Sequence, residues 1–225
     1  MLRAIVFDFD GVIADSEPLH FAAFRDILAE EGVALTRDDY YARYLGFDDL
    51  EMLRAIGDDR GRGWPPGAID RLAARKARRL ETLERGGSIL FPGAAEAILR
   101  ASAAVPIAIA SGARGDEIER VLERERLRRC FHAIVAAGDT PAGKPAPDPY
   151  LRAVALLAPA AGGALAAREC VAIEDSRWGI ESARGAGLRT VGVASSYAAG
   201  ELGDPDLVIG SVKELDLRAL ATLCR

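Results

Sequence analysis

The stretch Ala4-Ile5-Val6-Phe7-Asp8-Phe9-Asp10-Gly11-Val12 opens as an apolar run and then breaks into two acids and a glycine. A run of Ala, Ile, Val and Phe with no polar residue at alternate positions has two apolar faces, as a strand covered on both sides requires. Runs of this kind, rich in Val and Ile and bounded by turn residues, occupy residues 4–9, 105–110, 133–137, 170–173, 190–193 and 206–209. Helix-like stretches separate most of them, at residues 93–101, 115–123, 150–157 and 178–186. The alternation predicts an α/β fold, a doubly wound parallel sheet with helices on both faces.

The alternation breaks once. Residues 16–87 hold no convincing strand, only amphipathic helical pattern at residues 18–31, closed by Gly32, and at 36–44, 48–56 and 66–85. The expectation is a Rossmann-like core of residues 1–15 and 88–225 with an inserted α-helical cap domain at 16–87, hinged near Asp15 and near Gly86 and Gly87. Pro65 and Pro66 are expected to open the last helix of the insertion. The competing reading packs these helices directly on the sheet.

Half of the 225 residues are hydrophobic, enough for a sizeable core without staples. A formal net charge of −5, with acids and bases mixed along the chain, describes an ordinary acidic protein and argues against a nucleic-acid partner. The N-terminal run turns acidic at Asp8, short of a signal peptide, and no apolar run reaches the roughly 18 residues of a membrane span. A cytoplasmic protein with no membrane partner, a monomer or weak homo-oligomer, is expected. Cys130, Cys170 and Cys224 are odd in number and widely spaced, which suggests buried or incidental thiols rather than a disulfide framework or zinc site.

Ligands of parallel α/β sheets bind beyond the carboxyl ends of the strands. The polar residues that follow the expected strands are Asp8 and Asp10, Ser111, Lys144 in the loop after 133–137, and Glu174 with Asp175. Asp8 and Asp10, two apart at a strand end, should start on the same face. Carboxylates from two strands repel unless a cation or shared proton intervenes, and oxygen ligands suit Mg²⁺, which also binds substrate phosphate. Ser111 can donate to a phosphoryl oxygen and Lys144 adds a compact positive charge, an arrangement suited to phosphoryl transfer. Pro145, Pro147 and Pro149 stiffen the loop that carries Lys144.

The segments Asp8-Phe9-Asp10-Gly11-Val12, Ala110-Ser111-Gly112, Gly143-Lys144-Pro145 and Ile173-Glu174-Asp175-Ser176 resemble the four ordered motifs of the haloacid dehalogenase-like hydrolase superfamily. Asp15-Ser16-Glu17-Pro18 with His20, followed by a helical insertion, is similar to the β-phosphoglucomutase and sugar-phosphate phosphatase branch. The resemblance implies that Asp8 attacks phosphorus to form an aspartyl-phosphate, with Asp10 as general acid and then general base. It implies Mg²⁺ on Asp8, the Asp10 backbone carbonyl and Asp175, with Glu174 close behind. Gly11 would turn the chain away from the site. His20, Gly112, Arg114 and Lys76 are the substrate-binding candidates it supplies.

Each of these positions also has a plainer reading. Asp8 and Asp10 could be turn residues, Ser111 a helix N-cap, Lys144 a solvated lysine, and Glu174 and Asp175 caps of the next helix. His20 could be a packed or surface residue, and Arg114 a partner in an exposed ion pair. Arg75 and Lys76 match a basic pair of the family or form a solvated helix face.

Among activities, a dehalogenase has no need of Asp10, and a phosphonatase normally has a small residue there. A phosphomutase usually holds its substrate's second phosphate with an arginine three residues after a cap-loop glycine, whereas Gly46 is followed by Phe47, Asp48 and Asp49. An acid at that place repels a phosphate dianion. The expectation is therefore a Mg²⁺-dependent phosphatase acting on a small phosphorylated metabolite such as a sugar phosphate. A sugar phosphomutase is the alternative, and a non-catalytic metabolite-binding module a third reading.

Overall fold

Residues 4–7 are buried without exception, and the reason is visible in the computed structural model, which describes residues 1–45, 47–65 and 67–225. Strand β1 (Ala4–Phe7) lies inside a six-stranded sheet with β2 (Ile107–Ala110), β3 (Phe131–Val135), β4 (Cys170–Glu174), β5 (Arg189–Val193) and β6 (Leu207–Ile209). The order is β3-β2-β1-β4-β5-β6 and every neighbouring pair is parallel. The chain thus leaves β1 in one direction through β2 and β3 and in the other through β4, β5 and β6. The crevice at the carboxyl ends of β1 and β4 is the switch point where such sheets bind ligands. The fold is α/β and Rossmann-like.

The two faces of the sheet differ in bulk. Ile5, Phe7, Ile107, Ile109, Val171 and Ile173 pack on one side against Ile98 of α5 (Ala94–Ala104), Ile118 and Leu122 of α6 (Gly115–Arg124) and Leu220 of α9 (Leu217–Leu223). Ala4, Val6, Ala108, Ala110, Cys170 and Ala172 pack on the other against Tyr150 and Leu157 of α7 (Asp148–Leu157) and Ala183 of α8 (Arg177–Gly185). Alternate residues of each strand feed alternate faces, as a pleated backbone demands. Mostly small residues on the second face leave volume for Tyr150, the largest fully buried side chain among the described residues.

The chain divides into two compact units, Met1–Asp15 with Ile89–Arg225, and Ser16–Ser88. The second is built from α1 (Glu17–Glu30), α2 (Arg37–Asp39), α3 (Asp49–Asp59) and α4 (Ala68–Glu84) around Phe24, Ile27, Leu28, Met52, Leu53, Ile56 and Leu72. The start of α3 is fixed by a capping box in which Asp48 accepts from the Glu51 backbone and Glu51 reaches back.

Several boundaries differ from expectation. β3 begins at Phe131 and ends at Val135, whereas the apolar run suggested 133–137. It is an edge strand whose exposed His132 interrupts the apolar pattern, and Ala136 already donates to Asp139 in the turn that follows. The helix expected at 36–44 is the short α2 followed by a wider π turn, Tyr40–Tyr44, that carries both terminal tyrosines into the core. Helix α4 opens behind Gly67, whose φ of 75° suits glycine, and not on a proline. Pro66 and Gly46 lie outside the described residues. All three cysteines are buried free thiols, and among the described residues no helix is long and apolar enough to cross a membrane.

The face asymmetry is testable. Ala172→Leu places three extra carbons in the small-residue face covered by α7 and α8 and should lower unfolding stability by about 1–3 kcal/mol; an unchanged urea midpoint would mean that this face has slack.

Candidate active site

At the switch point three carboxylates converge. Asp8, Glu174 and Asp175 are buried, and each offers an oxygen within 4.8 Å of those of the other two. The parallel register creates this meeting: Phe7 pairs with Ile173, and the Asp8 amide donates to the Ile173 carbonyl at 2.9 Å, so acids leave neighbouring strands at one level. β1 ends at Phe7, so Asp8 and Asp10 both stand in the loop beyond it. Their arrangement therefore comes from the loop and not from strand alternation. The Asp10 carboxylate does not belong to the cluster of three, and Asp10 is half-buried in a turn where the Gly11 amide donates to the Ala14 carbonyl.

One ammonium faces these acids. Lys144 Nζ lies 3.0 Å from Asp8 Oδ1 and 2.5 Å from Glu174 Oε1. Burial by itself would push the ammonium down, but the Asp8 and Glu174 carboxylates outweigh it and hold Lys144 above its ordinary value. The loop bearing Lys144 is anchored on α8: the buried Ser182 hydroxyl donates to the Ala146 carbonyl at 2.5 Å, and Pro147 lies against Gly185. Its prolines work with tertiary contacts rather than alone.

Glu174 is completely buried and saturated with donors. Tyr150 Oη donates to its Oε1 at 2.8 Å, alongside Lys144, while Oε2 accepts from Ser176 Oγ at 3.2 Å and the Asp175 amide at 3.2 Å. A Cβ on Gly179 would sit 1.9 Å from this carboxylate, so the first turn of α8 must carry glycine for steric reasons. Asp175 is hydrogen-bonded by Ser196, and a Cβ on Gly11 would come within 1.8 Å of Asp175 Oδ2. Gly11 also needs its φ of 75°. Burial first, then the Asp8 carboxylate, push both Glu174 and Asp175 above the usual carboxylate range. Three acids against one ammonium form an oxygen-only donor set with excess negative charge, which fits a hard divalent cation.

Ser111 follows β2 and is buried; its amide donates to the Val135 carbonyl and its Oγ accepts from the Ala113 amide at 3.1 Å. It does not cap α6, whose N-cap position is Arg114. Open space surrounds the position of a Cβ on Gly112. Arg114 is exposed and paired with Asp116 at 3.0 Å, the ion pair anticipated as its plainer reading. His20 and Lys76 belong to the helical unit, where Lys76 Nζ lies 2.8 Å from His20 Nδ1 and 2.7 Å from Asp49 Oδ1. Lys76 is 0 % exposed, which corrects the solvated-face reading: Leu72, Lys76 and Leu80 recur every fourth residue on the buried side of α4. Arg75, one step round the helix, pairs instead with Glu30 and Glu31.

Tyr150, Ser182 and Ser196 escaped the sequence reading, and Ser176 was quoted in the fourth motif without a role. Tyr150 looked like one more core position of an amphipathic helix. The serines carry no spacing signal, because their partners are far along the chain or depend on a backbone turn.

A family model for haloacid dehalogenase-like hydrolases matches residues 2–187. Hexitol phosphatase B of Escherichia coli strain K12 is 30% identical over 220 residues, covering 97% of this chain and 94% of its own. The β-phosphoglucomutase of Bacillus subtilis is 30% identical over 225 residues, again 97% and 94%. Among solved structures, CbbY from Rhodobacter sphaeroides in complex with phosphate superposes with a TM-score of 0.85 at 28% identity, covering 98% of this chain and 99% of that one. With its acids, lysine and serine carried at the strand ends in the order of the four motifs, the chain belongs to the haloacid dehalogenase-like hydrolase family, in the branch that holds β-phosphoglucomutase and the sugar-phosphate phosphatases.

Proposed function

We propose that this protein is a Mg²⁺-dependent phosphatase that hydrolyses a small phosphate monoester, a sugar or polyol phosphate, through an aspartyl-phosphate. The observation that carries the reading is Lys144 shared between Asp8 and Glu174, with Asp175 in reach of the same point. In this proposal an Asp8 oxygen bonds to phosphorus as the ester P–O bond breaks, and protonated Asp10 supplies the proton that leaves with the alcohol. Water then gives a proton back to Asp10, attacks phosphorus, and releases inorganic phosphate and free Asp8. Ser111 donates to a phosphoryl oxygen, Gly112 and Arg114 line the phosphate side, and Lys144 offsets charge that develops on the transferring group. Asp8, Asp175 and the Asp10 carbonyl would hold Mg²⁺ with Glu174 behind them, and the ion would supply charge neutralisation between nucleophile and phosphate. The helical unit acts as the cap that selects substrate and excludes water.

A specific observation keeps the mutase reading in view, namely the likeness to β-phosphoglucomutase. Against it stands Asp49, an acid at the place expected for a phosphate-holding arginine, here paired with Lys76.

Asp8→Asn should keep the far-UV circular dichroism of the folded chain while lowering turnover by on the order of 10⁴-fold or more; near-normal rates would remove the nucleophile from this proposal. Saturating Mg²⁺ should raise the melting temperature of the chelator-treated protein by about 5 °C or more, since ligand at about a hundred times its Kd contributes about 2.7 kcal/mol. Asp175→Asn should suppress that shift, and a shift that survives would place the ion elsewhere. On a panel of hexose, pentose and glycolytic phosphates with Mg²⁺, inorganic phosphate should accumulate with one substrate class. Isomerised ester without net phosphate release would replace the phosphatase by a mutase.

A further inference from the structure

The loop that follows β5 reaches the ends of both strands that carry the acids. It is held on either side: the Ala194 amide donates to the Ile209 carbonyl at 2.9 Å, and Leu202 is fully buried against Gly192. Between these anchors the Ser195 hydroxyl donates to the Gly11 carbonyl, and the Ser196 hydroxyl donates to the Asp175 carboxylate. Tyr197 then meets Trp178 of α8 edge to face, with ring centres 6.1 Å apart at 71°, and the Arg177 guanidinium covers the Trp178 ring at 4.5 Å. Three consecutive side chains thus fasten the loop to the turn after β1, to the acid after β4 and to the helix that follows that acid.

Each serine restrains a group that would otherwise turn freely. The χ2 torsion of an aspartate is broad, so nothing in its own side chain decides where the carboxylate oxygens point. Ser196 decides it for Asp175, whose Oδ2 lies with Ser196 Oγ over Gly11, 1.8 and 2.6 Å from where a Cβ would stand. Glycine leaves its flanking peptide planes more freedom than any other residue. At Gly11 both planes are pinned, one by the Gly11 amide donating to the Ala14 carbonyl at 2.9 Å, the other by Ser195 at the Gly11 carbonyl. The first of these planes also holds the Asp10 carbonyl, which a trans peptide directs away from the Gly11 amide.

We infer that Ser195 and Ser196 are positioning residues that set the spacing and aim of the two halves of the cation site, the turn carrying Asp10 and the Asp175 carboxylate. The inference rests on the Mg²⁺ part of the proposed function. Mg²⁺ demands a near-ideal octahedron and dehydrates reluctantly, so ligands already aimed bind it more tightly than ligands that must first be ordered. Both serines are exposed, so the fold does not depend on burying them.

Mg²⁺ titrations of the chelator-treated full chain by isothermal calorimetry, with no substrate present, test the assignment. Ser196→Ala should raise the Mg²⁺ Kd about 10-fold or more, the usual effect of removing a group that orients a metal ligand, and Ser195→Ala should raise it in the same direction. Ser196→Thr keeps a hydroxyl and should recover most of the affinity. Without metal, the melting temperatures of all three variants should stay within about 2 °C of the parent, as for other exposed substitutions. An unchanged Kd in either alanine variant overturns the role of that serine. A Kd as weak in Ser196→Thr as in Ser196→Ala, or a larger loss of metal-free melting temperature, overturns aiming through the hydroxyl. A parent chain that binds no Mg²⁺ overturns the metal reading and this assignment together, whereas tight binding by the parent with no change in Ser196→Ala overturns the assignment alone.

Discussion

The ammonium of Lys144 allows the site to exist. Two strands of a parallel sheet deliver Asp8 and Glu174 to one level, and carboxylates brought so close out of water repel one another unless a cation stands between them. Lys144 touches both and lies over the ring of Tyr150, 5.4 Å from its centre. Such a pair is weak evidence for stability, since desolvation consumes much of the attraction, but loss of one partner leaves a buried charge uncompensated at about 3–5 kcal/mol. The geometry of the site and the folding of its strand ends are therefore one problem.

Lys144 is held both by the helix that directly follows its loop and by elements remote in sequence. Its loop hangs from α8 through Ser182, and α7 approaches the sheet over Ala4, Ala108 and Ala110, which lets Tyr150 reach the Glu174 carboxylate. Gly179 and Gly11 leave the volume that the Glu174 and Asp175 carboxylates occupy. Small residues here do mechanical work: they set how near helix and loop can come to the acids.

The helical unit repeats the principle with a different outcome. Lys76 is drawn into an apolar face by Asp49 and His20, as Lys144 is by Asp8 and Glu174, and each lysine is paired by groups on other elements. Around Lys144 the acids outnumber the ammonium and leave room for another cation; around Lys76 the charges balance. One unit thus carries a cluster with excess negative charge, and the other a cluster without net charge.

Residue order by itself determined the parallel α/β fold, because two-faced apolar runs alternating with amphipathic helices can bury themselves in few other ways. It also marked Asp8, Ser111, Lys144, Glu174 and Asp175, since each follows an apolar run and strand ends are where such sheets act. The pattern was blind to Tyr150, Ser182 and Ser196, and it left Lys76 on a solvated face, because a side chain on an amphipathic helix is assigned by average polarity while its burial is decided by one partner across space. Only the tertiary structure fixed how Asp8 and Asp10 are disposed, through a loop and not a strand, and paired Asp49 with Lys76. Hydrogen bonds and ion pairs between distant elements depend on distances of a few ångströms, which spacing along a chain does not encode.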